Sequence, residues 1–408
     1  MTPHSLLPHK KLFLQPLKRI ALFFDHYLLS AVEILDHYDG TVPMHHVLKG
    51  WFKTQRKFGS RDRKMISAMV YHGLRTGHAL VKYGWEDRIL AGGLLCADVF
   101  AGQYLRHFRP HWVDQLYVPF ADKLAFLHGQ KIRFSIEKHF PFHPALSEGV
   151  SMEALVESYF TQPRVYLRIR RGAAEIRRIL TDRLIDARWE GEHTVGLPAG
   201  VNVEDLLPDA GAYTIQDWAS QQAALQFDPA KGESWWDCCA ASGGKSLCLL
   251  DEEPGIKLLC SDVRASILLN LKGRLNSYQH HRFSTKQLDL SAPYLEVEMK
   301  QQRFDAIAAD VPCSGSGTWA RTPEQLLFFT PEKLETYTTL QQKIARNVAP
   351  YVKTGGRLFY ITCSVFRAEN EDRVADLVLH SGLKVVSQQL FSGINKEADN
   401  LFIARLEK

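Results

Sequence analysis

Through the first 145 positions apolar residues recur at helical spacing, with little of the period-two alternation that marks a strand. The segment Arg56 to Arg75 is the clearest case. Ser60 is placed to cap a helix whose buried stripe would be Met65, Met69, Val70 and Leu74. Leu17 to Leu29 is apolar, but Asp25 and His26 interrupt it and Glu33 follows, so an amphipathic helix is predicted rather than a leader or a membrane span. Pro141 and Pro144 break the pattern. From about 150 to 208 a small α+β unit is expected: Val165 to Ile169 alternates as a strand, Ala173 to Ile185 reads as a helix, and Pro198 and Gly200 mark a loop. Beyond 210, strand patterns at Ser234 to Cys239, Ile256 to Asp262, Phe283 to Leu288, Ala306 to Asp310 and Arg357 to Thr362 alternate with helical ones such as Leu334 to Val348. This rhythm predicts a parallel sheet with helices on both faces. The expected organisation is a helical region over 1–145, the small unit over 150–208 and an α/β domain over 209–408.

Composition narrows the class only slightly. The chain has 408 residues, 45% hydrophobic and 23% charged, and a net charge of +5, which does not by itself mark a nucleic-acid binder. Its seven cysteines lack framework spacing and point to a reducing, cytoplasmic setting. No CxxC pair occurs, and the adjacent Cys238 and Cys239 are wrongly spaced for zinc, so no metal is expected. The placement of charge is more informative. Arg56, Lys57, Arg61, Arg63 and Lys64 cluster at a helix start, as a solvated basic face or as a phosphate-contacting end. Arg164, Arg168, Arg170, Arg171, Arg177, Arg178, Arg183 and Arg188, with Tyr166 and Trp189 interleaved, suit an RNA backbone and its splayed bases.

Two cysteines carry the strongest chemical signal. Cys313 follows the apolar run Phe304 to Val311 and opens the small polar turn Ser314 to Gly317; Cys363 follows Arg357 to Thr362 and precedes Ser364. Both thiols would stand at the carboxyl edge of a parallel sheet, where open α/β sheets bind ligands. With the Asp310 carboxylate beside one of them, they suggest covalent chemistry on an electrophilic ring; two buried structural thiols are the bland alternative.

Asp237 to Ser246 closes the first strand of this domain and opens a helix. Gly244, Lys245 and Ser246 match the end of a phosphate loop, but position 239 is Cys where that loop needs its first Gly. The glycines are also adjacent rather than spaced as a dinucleotide fingerprint. A small-residue turn after strand one with acids ending the next strands suits an adenosyl ligand: Asp262 is placed for the ribose hydroxyls and Asp289 for the adenine, in register with Asp237.

Taken together, Asp310-Val-Pro-Cys-Ser-Gly, Thr362-Cys-Ser-Val and Asp237-Cys-Cys-Ala-Ala-Ser-Gly-Gly-Lys resemble the Sun/Fmu-type RNA 5-cytosine methyltransferases. Tyr213 to Gln221 looks like the segment leading into that family's first motif, and Glu369-Asn370 follows the second cysteine as in the family. The resemblance implies a Rossmann-like methyltransferase domain preceded by an RRM-like unit and, from Phe58-Gly-Ser-Arg-Asp-Arg, a NusB-like helical region. It implies S-adenosylmethionine as cofactor, held by Cys239, Ala240, Ala241, Ser242, Gly243, Gly244, Lys245, Asp262, Arg264, Asp289 and Asp310. In the implied reaction Cys363 attacks C6 of cytosine, Asp310 hydrogen-bonds N3, Lys245 supplies nearby positive charge, and Cys313 helps remove the C5 proton so that Cys363 is freed. Arg321 resembles a family residue near the base. Ser242 stands where the family usually has Pro, which could loosen the turn. Ribosomal RNA is favoured as substrate by the NusB-like region, with transfer RNA or an inactive RNA-binding assembly factor as alternatives; a monomer without membrane attachment is expected.

Overall fold

Two tryptophans in succession, Trp235 and Trp236, show how the larger sheet is built. Both are fully buried, yet they face opposite ways. Successive side chains of a strand point to opposite faces, so a strand apolar at every position must be covered on both sides. Trp236, Ile307, Leu358 and Tyr360 lie in one core, whereas Trp235, Ala308, Phe359 and Ile361 lie in the other. Each indole withdraws roughly 200 Å² from water, about 5 kcal/mol of transfer free energy.

The computed structural model describes residues 14–142, 146–292 and 295–408. Pro144 and the domain boundary expected at 145 lie outside the described residues. The chain divides into two units, one comprising residues up to 141 with 159–161 and 322–328, the other 142–158, 162–321 and 329–408.

The first unit is helical throughout its described part, with helices at Leu14–Asp36, Met44–Thr54, Ser60–Arg75, Trp85–Cys96, Val99–Phe108 and Phe120–Gly129. Met65, Met69, Val70 and Leu74 are buried as their spacing predicts. The cap differs from expectation. Gly59, not Ser60, precedes the helix, and its N–H donates to Asp62 Oδ2 at 2.7 Å, because a carboxylate one turn in reaches back to the free backbone donor. Among the described residues no helix is long and apolar enough to cross a membrane.

The second unit carries two sheets. Strands β1 (Val165–Ile169), β2 (Arg188–Glu190), β3 (Thr194–Leu197) and β4 (Tyr213–Ile215) form an antiparallel sheet in the order β2-β3-β1-β4, with the helix Ala173–Asp182 packed on it through Ile176 and Leu180. Its fourth strand lies beyond residue 208, because β4 pairs with β1. The larger sheet has the order β10-β11-β9-β8-β5-β6-β7, from β5 (Ser234–Asp237), β6 (Lys257–Asp262), β7 (Phe283–Gln287), β8 (Phe304–Asp310), β9 (Val352–Thr362), β10 (Lys384–Phe391) and β11 (Leu401–Glu407). Pairing from β9 through β7 is parallel, but β11 runs antiparallel to β9 and β10 antiparallel to β11. The sheet is therefore mixed rather than wholly parallel: β10 and β11 join through a short connection, which antiparallel neighbours permit. Strand order reverses at β5, so the crevice for a ligand lies at the carboxyl ends of β5 and β8.

Three of the arginines expected to face RNA are instead taken up by acids within the fold. Arg168 Nη2 and Arg170 Nη2 bind Asp251 at 2.5 and 2.6 Å, and His280 joins the same carboxylate at 2.7 Å. Burial alone would raise the Asp251 carboxyl, but hydrogen bonds from His280, Arg170 and Arg168 outweigh it and hold that carboxyl well below its usual range. Arg164 is buried between Asp186 and Glu397, Arg188 shares Glu397, Arg171 pairs with Asp209 and Arg178 with Asp182. Tyr166 is buried with its hydroxyl on Lys396 O, and Arg177 covers the Trp189 ring at 4.0 Å. Three of these arginines, Arg164, Arg168 and Arg170, are internal framework held by acids distant in sequence, while Arg171, Arg177, Arg178, Arg183 and Arg188 are exposed. Only Arg183, with Arg177, has no ion pair among the described residues.

The Asp251 cluster is 13–17% exposed, whereas the Arg171–Asp209 pair is about 60% exposed. Asp251→Ala should cost about 3–5 kcal/mol in urea unfolding because it strands buried cations. Asp209→Ala should cost less than about 1 kcal/mol. Equal losses would contradict the framework role.

Candidate active site

The first turn after β5 is shaped by its smallest residues. Ala241 and Gly243 take left-handed backbone angles, φ 44° and 81°. A Cβ on Gly243 would also stand 2.9 Å from Leu271 Cγ, so both conformation and space require glycine there. The turn leads into the helix Gly244–Glu252, which carries Lys245 and Ser246 on its first turn. Ala241 N–H donates to Asp262 Oδ2 at 3.2 Å, and Asp262 Oδ1 accepts from Arg264 N–H at 2.9 Å and Arg264 Nε at 3.0 Å. Arg274 reaches the turn from the opposite side: Nη1 donates to Ser242 O and Oγ at 3.3 and 3.4 Å, while Nη2 donates to Thr214 Oγ1 at 2.8 Å. The Ser242 turn is thus tied down without a proline.

A cavity of about 180 Å³ opens over this turn, lined by Cys239, Ala240, Ala241, Ser242, Gly244, Lys245 and Asp310 among the expected residues. Gly243 packs behind it on Leu271. Asp262 and Arg264 stand at the end of β6, holding the turn. Asp289 is not brought in: it is exposed, and its Oδ1 is taken by the Ser291 N–H and hydroxyl of its own turn. The cavity also takes in Ile215, Gln216, Ser220, Arg274 and Asp237. The first three lie in the Tyr213–Gln221 segment already singled out; Arg274 carries no local signal, because only the packing of its helix turns it inward.

Asp237 is incompletely satisfied. Its Oδ2 accepts from Ser246 Oγ at 2.6 Å, but its buried Oδ1 has no hydrogen-bond partner among the described residues. Burial raises its pKa to about 6, against the Ser246 bond and the Lys245 charge. Beside it Lys245 Nζ donates to Asp310 Oδ2 at 2.6 Å. Burial alone would lower the Lys245 ammonium, but the Asp310 charge and hydrogen bond outweigh it and raise its pKa, with the Cys363 sulfur contributing in the same direction.

The two cysteines come together as their strand ends predict. Cys313 Sγ lies 3.3 Å from Cys363 Sγ, both thiols free and half-buried. The Cys313 thiol is held well above its usual pKa, first by its hydrogen bond to Cys363 and then by burial, so Cys313 keeps its proton. Gly317 N–H donates to Cys363 O at 2.9 Å, and a Cβ on Gly317 would lie 2.4 Å from Asn400 O, which restricts the place to glycine. Arg321 does not face the site as a free cation. It is held between Asp217 and Asp399 at 2.7 and 2.8 Å, two acids that approach it only through the fold. A larger cavity of about 920 Å³, beside Arg168, Arg170 and Asp251, contains neither cysteine nor the turn.

Residues 224–405 match the family described as 16S rRNA methyltransferase RsmB/F. Ribosomal RNA small subunit methyltransferase B of Proteus mirabilis is 30% identical over 230 residues, covering 55% of this chain and 54% of that protein. Its counterpart in Shewanella oneidensis is 35% identical over 167 residues, 40% and 38% of the two chains. The chain therefore spans about half the length, or less, of these curated relatives. The crystal structure of PH0851 shares the fold with a TM-score of 0.67 at 19% identity, covering 95% of this chain and 98% of that one.

The raised Asp237 pKa has a defined sign. The folded state binds this proton more tightly than the unfolded chain, so its contribution to stability is full below 3.8 and declines as pH rises to about 6. Asp237→Asn should remove that decline. The wild-type minus variant unfolding free energy, from urea curves between pH 4 and 7, should fall by about 2.5 kcal/mol and then level off. A flat difference would contradict the burial argument.

Proposed function

We propose, from the match of residues 224–405 to the RsmB/F methyltransferase family, that the chain is a member of that family and an S-adenosylmethionine-dependent RNA (cytosine-5) methyltransferase. Its proposed substrate is ribosomal RNA, attacked through a covalent bond from Cys363 to C6 of the base. The observation that carries this is the 3.3 Å sulfur pair at the ends of β8 and β9, in the same unit as the Lys245–Asp310 ion pair.

The cavity chemistry fits the cofactor. The unpartnered Asp237 Oδ1 offers an acceptor to an ammonium group, Arg274 offers donors to a carboxylate, and Asp262 stands where ribose hydroxyls would be held. When bound, S-adenosylmethionine supplies an electrophilic methyl group. Everything else falls to side chains. Cytosine C5 is a poor nucleophile until a thiolate adds to C6 and converts the ring to an enamine. The raised pKa of Cys313 disfavours it as the nucleophile, which supports Cys363 as the attacking sulfur. Lys245 offsets the negative charge that develops, and Asp310 hydrogen-bonds N3 and shares the proton placed there. Once Cys363 is bonded to carbon, Cys313 loses the acceptor that most held its proton. Its thiol then ionises more readily, takes the C5 proton, and elimination expels Cys363.

The methyltransferase machinery is assigned to 209–408, and RNA-holding roles to the 1–145 and 150–208 regions. Within the first region Arg56, Lys57, Arg61, Arg63 and Lys64 are all exposed, which suits phosphate contacts. Ribosomal rather than transfer RNA is favoured by the relatives named as ribosomal RNA methyltransferases. Free thiols suit action in the cytoplasm.

Cys363→Ala should abolish methylation of ribosomal RNA. Cys313→Ala should slow turnover by about 10²- to 10⁴-fold and accumulate a protein–RNA adduct that survives denaturing electrophoresis. An adduct in Cys363→Ala, or none in Cys313→Ala, would overturn the assigned roles. Methylation of transfer RNA alone would overturn the substrate.

A further inference from the structure

Between the cysteine loops lies a carboxylate that the reaction above does not use. Glu369 ends the short turn Arg367–Glu369 and is completely buried. Its Oε1 accepts from the Ser314 N–H and from Gln341 Nε2, each at 2.8 Å. Its Oε2 accepts from the hydroxyls of Ser314 and Ser364, each at 2.5 Å. Ser314 follows Cys313 and Ser364 follows Cys363, so one carboxylate grips the residue next to each sulfur. Gln341 extends the grip, donating also to Pro312 O at 2.9 Å on the other side of Cys313.

The chemistry of the group matters as much as its place. Glu369 has no ion pair among the described residues, and a buried carboxylate without a cation persists only where several donors converge on it. Here the donors come from both cysteine loops and from the helix Pro331–Val348. A further polar contact joins the loops: Ser316 Oγ lies 3.1 Å from Ser364 Oγ. A carboxylate has acceptor capacity for all four donors, which an amide lacks unless the hydroxyls turn round. The Glu369 charge also adds, after the Cys363 hydrogen bond and burial, to what keeps the proton on Cys313.

We propose that Glu369 is a positioning residue that sets the separation of the Cys313 and Cys363 sulfurs and, through it, the elimination that frees Cys363. The first part stands on geometry alone. The second rests on the cytosine methylation reading.

The test uses the full chain carrying Glu369→Ala or Glu369→Gln. Diamide takes two hydrogens from a pair of thiols as it is reduced to the hydrazine, so the rate at which the Cys313–Cys363 disulfide appears by peptide mass mapping reports their separation. Glu369→Ala should slow that rate at least tenfold and leave the dissociation constant for S-adenosylmethionine within twofold by calorimetry. It should also trap protein as RNA adduct, as Cys313→Ala does. Glu369→Gln should recover most of the cross-linking rate, since its oxygen can serve Ser314 N–H and Gln341 while its amide donates to the turned hydroxyls. Ser314→Ala with Ser364→Ala keeps the carboxylate and should slow cross-linking at least threefold, which decides the matter if Glu369→Ala does not fold. Unchanged cross-linking in these variants would overturn the proposal, as would a loss of cofactor affinity equal to the loss of cross-linking. Wild-type protein that yields neither methylated RNA nor adduct would overturn the assigned reaction and with it the elimination role, while the cross-linking rates still decide the positioning role.

Discussion

The parallel register of β8 with β9 is the constraint on which the site depends. Asp310 pairs opposite Ile361, so the two strands finish almost level and the loops that follow leave the sheet side by side. Val311 N–H donates to Ile361 O and Gly317 N–H to Cys363 O, so the two loops continue the alignment of their strands. A shift of one residue would turn every side chain of β9 to the other face and send Cys363 away from Cys313. The bulk held on both faces of these strands makes such a shift costly, because Phe359, Tyr360 and Ile361 are all fully buried.

Around that alignment the protein places carboxylates whose environments differ sharply. Asp310 has a lysine, Asp251 has two arginines and a histidine, Glu369 has only neutral donors, and Asp237 has one hydroxyl bond and one bare oxygen. Burial penalises each charge, and the partners decide how far the penalty is offset. The fully compensated Asp251 serves as framework. The under-compensated Asp237 faces the cavity, where a cationic ligand group would complete its shell.

The same contrast separates arginines that hold the fold from basic residues left exposed. Along the chain they look alike. In the fold, Arg164, Arg168 and Arg170 are consumed by acids, while Arg56, Arg61 and Lys64 remain exposed without an ion pair among the described residues. Arg274 is a third kind, a brace between β4 and the Ser242 turn.

What the chain's own order of residues determined was local and periodic. Alternation and βαβ rhythm specified five of the seven strands of the larger sheet (β5 to β9), the strand-end position of Asp237, Asp262, Asp310, Cys313 and Cys363, and the small residues of the turn at 239–244. These follow from backbone geometry over a few residues, so a linear reading reaches them. Tertiary structure alone decided pairings across long separations: Cys313 with Cys363, Lys245 with Asp310, Glu369 with Ser314, Arg168 with Asp251, and Arg321 with Asp217 and Asp399. It also set β10 and β11 antiparallel at the edge and left Asp289 outside the cavity. Charge density along a sequence carries no record of which acid will arrive from eighty or two hundred residues away, whereas hydrophobic period does record which face must be buried.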